Sequence, residues 1–146
     1  AIHTGMFFMI GAGLNKHQLI YVDDLIDGLY LAATSENAVN QTFVLAGREV
    51  LTTNEMADSV ANAVGKSVMK FRAPLWIFML AATILETVLK PLGIQPPLQR
   101  RKMDFFRKSF YFSREKSGTV LGFEPKTDFD TGTRLTAEWY RSNILL

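Results

Sequence analysis

Cysteine is missing from all 146 residues. That removes disulfides, thiol nucleophiles and thiolate metal sites together. It fits a reducing compartment, and a cytoplasmic location is expected. Histidine is scarce: His3 and His17 are too few and too far apart to form a metal site, so no metal is expected. No basic stretch followed by a long apolar core opens the chain, so no signal peptide is read there. Charge of either sign is nearly balanced, at a formal +2, and non-specific nucleic-acid binding is not implied. Long hydrophobic runs are short of membrane length. The most apolar stretch is uncharged only from Ala73 to Leu85, 13 residues, against the roughly 20 that a spanning helix needs. No fixed-period repeat is present.

What is there suits a globular chain of one domain, residues 1–146: 48% hydrophobic and 21% charged residues argue against disorder. The organising stretch is Gly11 to Ala33. A Gly-rich turn, Gly11-Ala12-Gly13, is followed by a short strand, His17 to Tyr21. Asp23 and Asp24 then open a helix, because carboxylates accept from the N–H groups that a helix start leaves without partners. Leu25, Ile26, Leu29, Ala32 and Ala33 fall on one face of that helix. Asp23, Asp24 and Asp27 are close enough to resemble an acid cluster, but no nitrogen ligand is near, and capping explains the pair.

Further along, Phe7 to Ile10, Val68 to Phe71 and Phe110 to Phe112 read as short strands. Thr42 to Ala46 is continuously apolar, the pattern of a strand buried on both faces. Thr52 and Glu55 stand at capping-box spacing, with Met56, Val60, Ala63 and Val64 behind them and Gly65 as the stop. Pro74 sits at the first turn of an apolar helix. Two readings of that helix stand: burial against the rest of a larger protein, or a surface helix that binds membrane or a hydrophobic substrate, since Trp76 and Phe78 suit either place. Leu98 to Lys108 is a basic amphipathic segment. Ser113 caps a helix that runs to Leu121 and Gly122, and a last helix, from about Asp128 to Ile144, carries Leu135, Trp139 and Tyr140 on its apolar side. The expected class is α/β, mostly helical, with five or six helices and a few short strands.

Three blocks resemble the extended short-chain dehydrogenases, the NAD-dependent epimerase/dehydratase and 3β-hydroxysteroid dehydrogenase family. The first is Gly11-x-Gly13-x-Asn15, Tyr21-Val22-Asp23-Asp24 and Ala32-Ala33. The second is Phe43, Leu45 and Gly47. The third is Tyr111-Phe112-Ser113-x-x-Lys116, Leu121-Gly122-Phe123-x-Pro125 and Gly132-x-x-x-Thr136-x-x-Trp139-Tyr140. The resemblance implies the C-terminal, substrate-binding part of such a protein, with the Rossmann cofactor domain outside this chain. The family's working parts are a Gly-rich dinucleotide loop and a Tyr-x-x-x-Lys pair. Gly11-Ala12-Gly13 has Lys16 where a third glycine belongs, and positions four after Tyr21, Tyr30, Tyr111 and Tyr140 hold Leu25, Thr34, Glu115 and Ile144. No catalytic or cofactor-binding residue is therefore expected here. NAD or NADP would belong to an intact parent, and the chain alone should be inactive.

The resemblance leaves Asn15, Lys16, His17 and Arg107 as candidate substrate-binding residues. Members that act on nucleotide sugars hold Arg where this chain has His17, and an Asp after the second basic site that is lacking in Arg107-Lys108-Ser109-Phe110. The pattern is closer to the steroid-dehydrogenase-like branch, which implies a small or sterol-like alcohol or ketone. Nucleotide-sugar epimerase/dehydratase activity and a non-enzymatic, membrane-associated binding module are the alternatives. The expected partners are a small-molecule substrate, a membrane surface in peripheral contact and a second copy of the chain, since apolar patches and strand edges invite self-association.

Overall fold

Thr52 and Glu55 do at the head of a helix what their spacing predicts. Thr52 Oγ1 accepts from the Glu55 N–H at 3.2 Å, and the Glu55 carboxylate accepts from the Thr52 N–H at 2.7 Å. The backbone bond from Thr52 is the main reason the Glu55 carboxyl is held below its usual range. The helix so capped is α2 (Thr53–Val64), and Gly65 closes it.

The computed structural model of the chain describes residues 8–67, 69–89, 91, 93–96 and 100–143. Before α2 come β1 (Phe8–Ile10), β2 (Lys16–His17), α1 (Val22–Thr34), a single 3-10 turn (Glu36–Ala38) and β3 (Leu51–Thr52). After it come β4 (Met69–Ala73), α3 (Leu75–Leu89), α4 (Arg100–Arg107), α5 (Glu115–Leu121) and α6 (Phe129–Asn143). The class is as expected, a mostly helical α/β chain with short strands. β1 pairs in parallel with β4, and β2 pairs antiparallel with β3. The predicted features at Phe7, Val68, Pro97, Leu98 and Ile144 lie outside the described residues.

Small side chains set the main helix packing. Ala57 and Ala61 on α2 and Gly132 and Ala137 on α6 are all buried. Gly132 leaves room for the Tyr21 ring, and α2 and α6 make the most extensive helix contact among the described elements. Asp128 heads α6, where its Oδ1 accepts from the Thr131 N–H at 2.7 Å. That backbone bond chiefly holds its carboxyl below the usual range.

Several expectations need correction. The strand at His17 to Tyr21 is only Lys16–His17, because its partner β3 is two residues long. Phe110 to Phe112 reduces to one bridge, between Phe110 and His17. Thr42 to Ala46 forms no strand: Val44 is exposed while Ala46 is buried. Its apolarity asks for cover on both faces, but no strand among the described residues lies beside it. The Asp pair does not cap α1. The helix starts at Val22, and Tyr21 in the cap position makes no side-chain bond. Asp24 instead turns inward. Its two carboxylate oxygens accept from the backbone N–H groups of Lys126, at 3.2 Å, and Thr127, at 3.0 Å. Asp27 takes the Lys126 ammonium at 2.9 Å, which raises that lysine's pKa above the ordinary value.

The buried stripe of α1 follows Asp24: that residue and Gly28 are buried, while Ile26 and Leu29 are exposed. Trp139 and Tyr140 are likewise exposed on α6, since the approach to α2 uses its small residues. Ser113 lies one place before the cap of α5, which is Arg114, although its Oγ still accepts from the Glu115 N–H at 3.3 Å. Pro74 precedes α3 rather than lying in its first turn, and the helix is open to solvent along most of its length: only Ala82 is buried among its described residues.

Candidate functional site

The turn before β2 and the C-terminal end of α4 meet at Asn15. Asn15 Nδ2 donates to the Phe105 carbonyl at 2.6 Å, lies 3.3 Å from the Lys108 carbonyl and contacts His17 Nε2 at 2.6 Å. On its other side, Asn15 Oδ1 accepts from Thr53 Oγ1 at 2.9 Å, and its backbone carbonyl accepts from the Thr53 N–H at 3.0 Å. One side chain thus ties β2, α2 and α4 together. An amide is suited to this because it offers two donors and an acceptor in one plane.

His17 is 3% exposed, and its ring stacks on Phe105 with centroids 4.2 Å apart and planes 11° apart. Phe110 lies 5.9 Å away on the same ring. His17 Nε2 is 3.0 Å from the Phe105 carbonyl as well as 2.6 Å from Asn15 Nδ2. The tautomer decides which contact is a hydrogen bond: a bare Nε2 accepts from Asn15, and a protonated one donates to the Phe105 carbonyl. Lys16 is held by its backbone: its N–H donates to Ser109 Oγ at 2.9 Å and its carbonyl accepts from Phe110 at 2.7 Å. Its side chain is on the surface. Arg107 is exposed too and pairs with Asp104 at 3.3 Å. Of the four predicted residues, Asn15 and His17 are knitted into one polar-aromatic junction, while Lys16 and Arg107 are exposed, Lys16 with its charge near Glu55 and Arg107 paired with Asp104.

The Gly-rich turn does not fit a dinucleotide. A phosphate cradle needs free backbone N–H groups at the start of a helix. Here the Gly11 N–H donates to the Ala73 carbonyl at 2.9 Å, and the element that follows is β2. The Ala12 carbonyl accepts from Arg72 at 2.6 Å and from Asn54 Nδ2 at 3.0 Å. Gly13 has φ +67°, and a Cβ on it would collide with Asn54 Oδ1. The left-handed backbone favours glycine at this position, where a Cβ would displace the Asn54 side chain, and no step of cofactor chemistry is assigned to the turn.

Gln18 escaped sequence reasoning. Its amide donates to the Gly47 carbonyl at 2.8 Å and accepts from the Phe112 N–H at 2.9 Å, joining two segments far apart in the chain. The available signal was one polar residue inside an apolar run.

A cavity of about 350 Å³ opens on the other side of this segment, between Leu19, Ile20, Val60, Val64, Phe129 and Tyr140. Several of its polar groups are already committed. Glu49 accepts from the Phe129 N–H at 2.8 Å, and the Thr133 and Thr136 hydroxyls each donate to a carbonyl of α6 at 2.7 Å. Arg48 and Tyr21 line it as well as Tyr140, so the cavity stands as a second candidate beside the Asn15–His17 junction.

No family model matches the chain. It is 27% identical, over 140 residues and 90% of its length, to the decarboxylating sterol-4-alpha-carboxylate 3-dehydrogenase of Schizosaccharomyces pombe, and covers 41% of that protein. The chain is related to the extended short-chain dehydrogenases, the NAD-dependent epimerase/dehydratase family. An uncharacterized protein of Sinorhizobium fredii is 31% identical over 97% of the chain, which covers 41% of it. The fold agrees. The UDP-glucuronic acid 4-epimerase of Bacillus cereus, solved in complex with NAD, superposes with a TM-score of 0.64 at 16% identity, over 97% of this chain and 37% of the epimerase. The chain thus spans about two fifths of the length of the proteins it matches.

Proposed function

We propose that the chain is the substrate-binding part of an NAD(P)-dependent dehydrogenase, epimerase or dehydratase that acts at a hydroxyl- or ketone-bearing carbon of a small or sterol-like substrate. The observation that carries the substrate class is the 27% identity to the sterol dehydrogenase across nearly the whole chain, beside 16% to the nucleotide-sugar epimerase. On this reading the redox chemistry belongs to residues outside the chain. Two features support that division: the Gly-rich turn is occupied by Asn54 and Arg72, and α1 leaves Val22, Ile26, Leu29 and Tyr30 exposed as one stripe at helical spacing. A cofactor-binding half packed on that stripe would cover it.

In this account the Asn15–His17–Phe105 junction is a rigid wall of the substrate cleft. Lys16 and Arg107 supply positive charge to a carboxylate on the substrate, Arg107 as a planar fork. The experiment is steady-state kinetics on the enzyme encoded by the complete reading frame, with a 3β-hydroxysteroid 4-carboxylate and NAD. Arg107→Ala and Lys16→Ala are each expected to raise KM for the steroid about tenfold, the loss of one charge-assisted contact, with NAD affinity unchanged. An unchanged KM in both variants removes the two residues from the substrate site. Turnover of UDP-sugars with the steroid inert would replace the sterol reading with the nucleotide-sugar one.

A further inference from the structure

We infer that α3 and α4 together form a docking surface for an anionic lipid bilayer, on which α3 lies flat. The exposed side of α3 is a stripe at a spacing of four: Trp76 is 67% exposed, Leu80 55%, Ile84 54% and Val88 56%, with Ile77 beside them. The polar side chains at the exposed positions Thr83 and Thr87 are turned back on the helix. Their hydroxyls donate to the Met79 and Thr83 carbonyls at 2.8 Å, so neither needs water. A face built this way costs little to remove from solvent. The helix is about 22 Å long at 1.5 Å per residue, and no helix among the described residues is long and apolar enough to cross a membrane. It suits the interface plane instead.

Charge decides which occupant fits. α4 packs against α3. Residues 100–108 carry five Lys or Arg and one Asp, a net of +4 by sequence, while the whole chain carries +2 and the remainder therefore −2. The chain's net positive charge by sequence thus falls on the helix that packs against α3, where Arg107 and Lys108 share Asp104 and leave an excess of cations, the combination that anionic headgroups attract. Another exposed apolar stripe, on α1, has the exposed Asp23 carboxylate beside it, with Asp27 paired to Lys126, and gains no such attraction from that surface. That contrast separates a lipid-facing helix from a protein-facing one.

The test uses the 146-residue chain carrying Trp139→Phe, which leaves Trp76 as the only tryptophan. It is mixed with vesicles of phosphatidylcholine alone, or of phosphatidylcholine with phosphatidylglycerol. Flotation with the anionic vesicles should exceed flotation with neutral ones by about tenfold or more and weaken with salt. Trp76 emission should shift to the blue on binding and be quenched by brominated acyl chains. Leu80→Glu with Ile84→Glu, both exposed and so neutral to the fold, should reduce binding more than about tenfold. Equal flotation of that variant, no flotation with either lipid, or a Trp76 emission unmoved by vesicles, as when a protein surface covers α3, would each overturn the inference.

Discussion

Asp24→Ala is expected to destabilise the chain by about 3 kcal/mol, because two backbone N–H groups lose a charged acceptor and remain largely shielded from water. Asp24 is 4% exposed, and it fastens the N-terminal end of α1 to the segment Lys126–Thr127 just before α6. Those residues lie more than a hundred positions apart in the chain, so the carboxylate closes a long loop as well as satisfying two donors. Asp24→Asn should recover only part of the loss. Its amide keeps one acceptor oxygen but turns an NH2 group toward the second N–H. Asp23→Ala is the control: Asp23 is exposed in the first turn of α1 and contributes through the helix dipole, so its loss should cost under about 1 kcal/mol. Urea unfolding of the three variants checks this. Equal midpoints for Asp23→Ala and Asp24→Ala would show that the pair acts as a surface cap after all.

Gly47→Ala should be comparably severe, at about 2–3 kcal/mol or more. A Cβ at that position collides with the Leu19 carbonyl oxygen and lies 3.2 Å from Ile20 Cα, so the obstacle is backbone, which cannot rotate away. The extended segment after His17 would have to move, loosening the bond from Gln18 Nε2 to the Gly47 carbonyl and shifting the wall that carries the candidate site. Gly65→Ala separates crowding from backbone conformation. Gly65 has φ +70° with nothing near its missing Cβ, so only the left-handed strain applies, about 1 kcal/mol. If the two variants unfold at the same urea concentration, close approach is not what position 47 requires.

How much of this was readable in advance depended on the range of the interaction. The capping box at Thr52 and Glu55, the helix ends at Gly65 and Gly122, and the mostly helical α/β class follow from neighbours in sequence, and they appear as expected. The Asp23-Asp24 pair obeys the same local rule, yet Asp24 is used by residues 102 and 103 positions away, which no local rule detects. Thr42 to Ala46 has strand composition, but a strand also needs a neighbour to bond, and periodicity cannot supply one. The grouping of Asn15 with His17 was visible through resemblance, whereas the stacking of His17 on Phe105 depends on how α4 returns to β2. Gln18 was invisible for the same reason: its two partners are 29 and 94 residues away.

The proposed division of labour, with recognition in this chain and redox chemistry outside it, is tested directly by titrating the purified 146-residue chain with NAD in a calorimeter, beside the protein from the complete reading frame. The account predicts no binding heat from the chain up to millimolar coenzyme and saturable binding by the longer protein. Saturable, stoichiometric binding of NAD to the chain alone would contradict it.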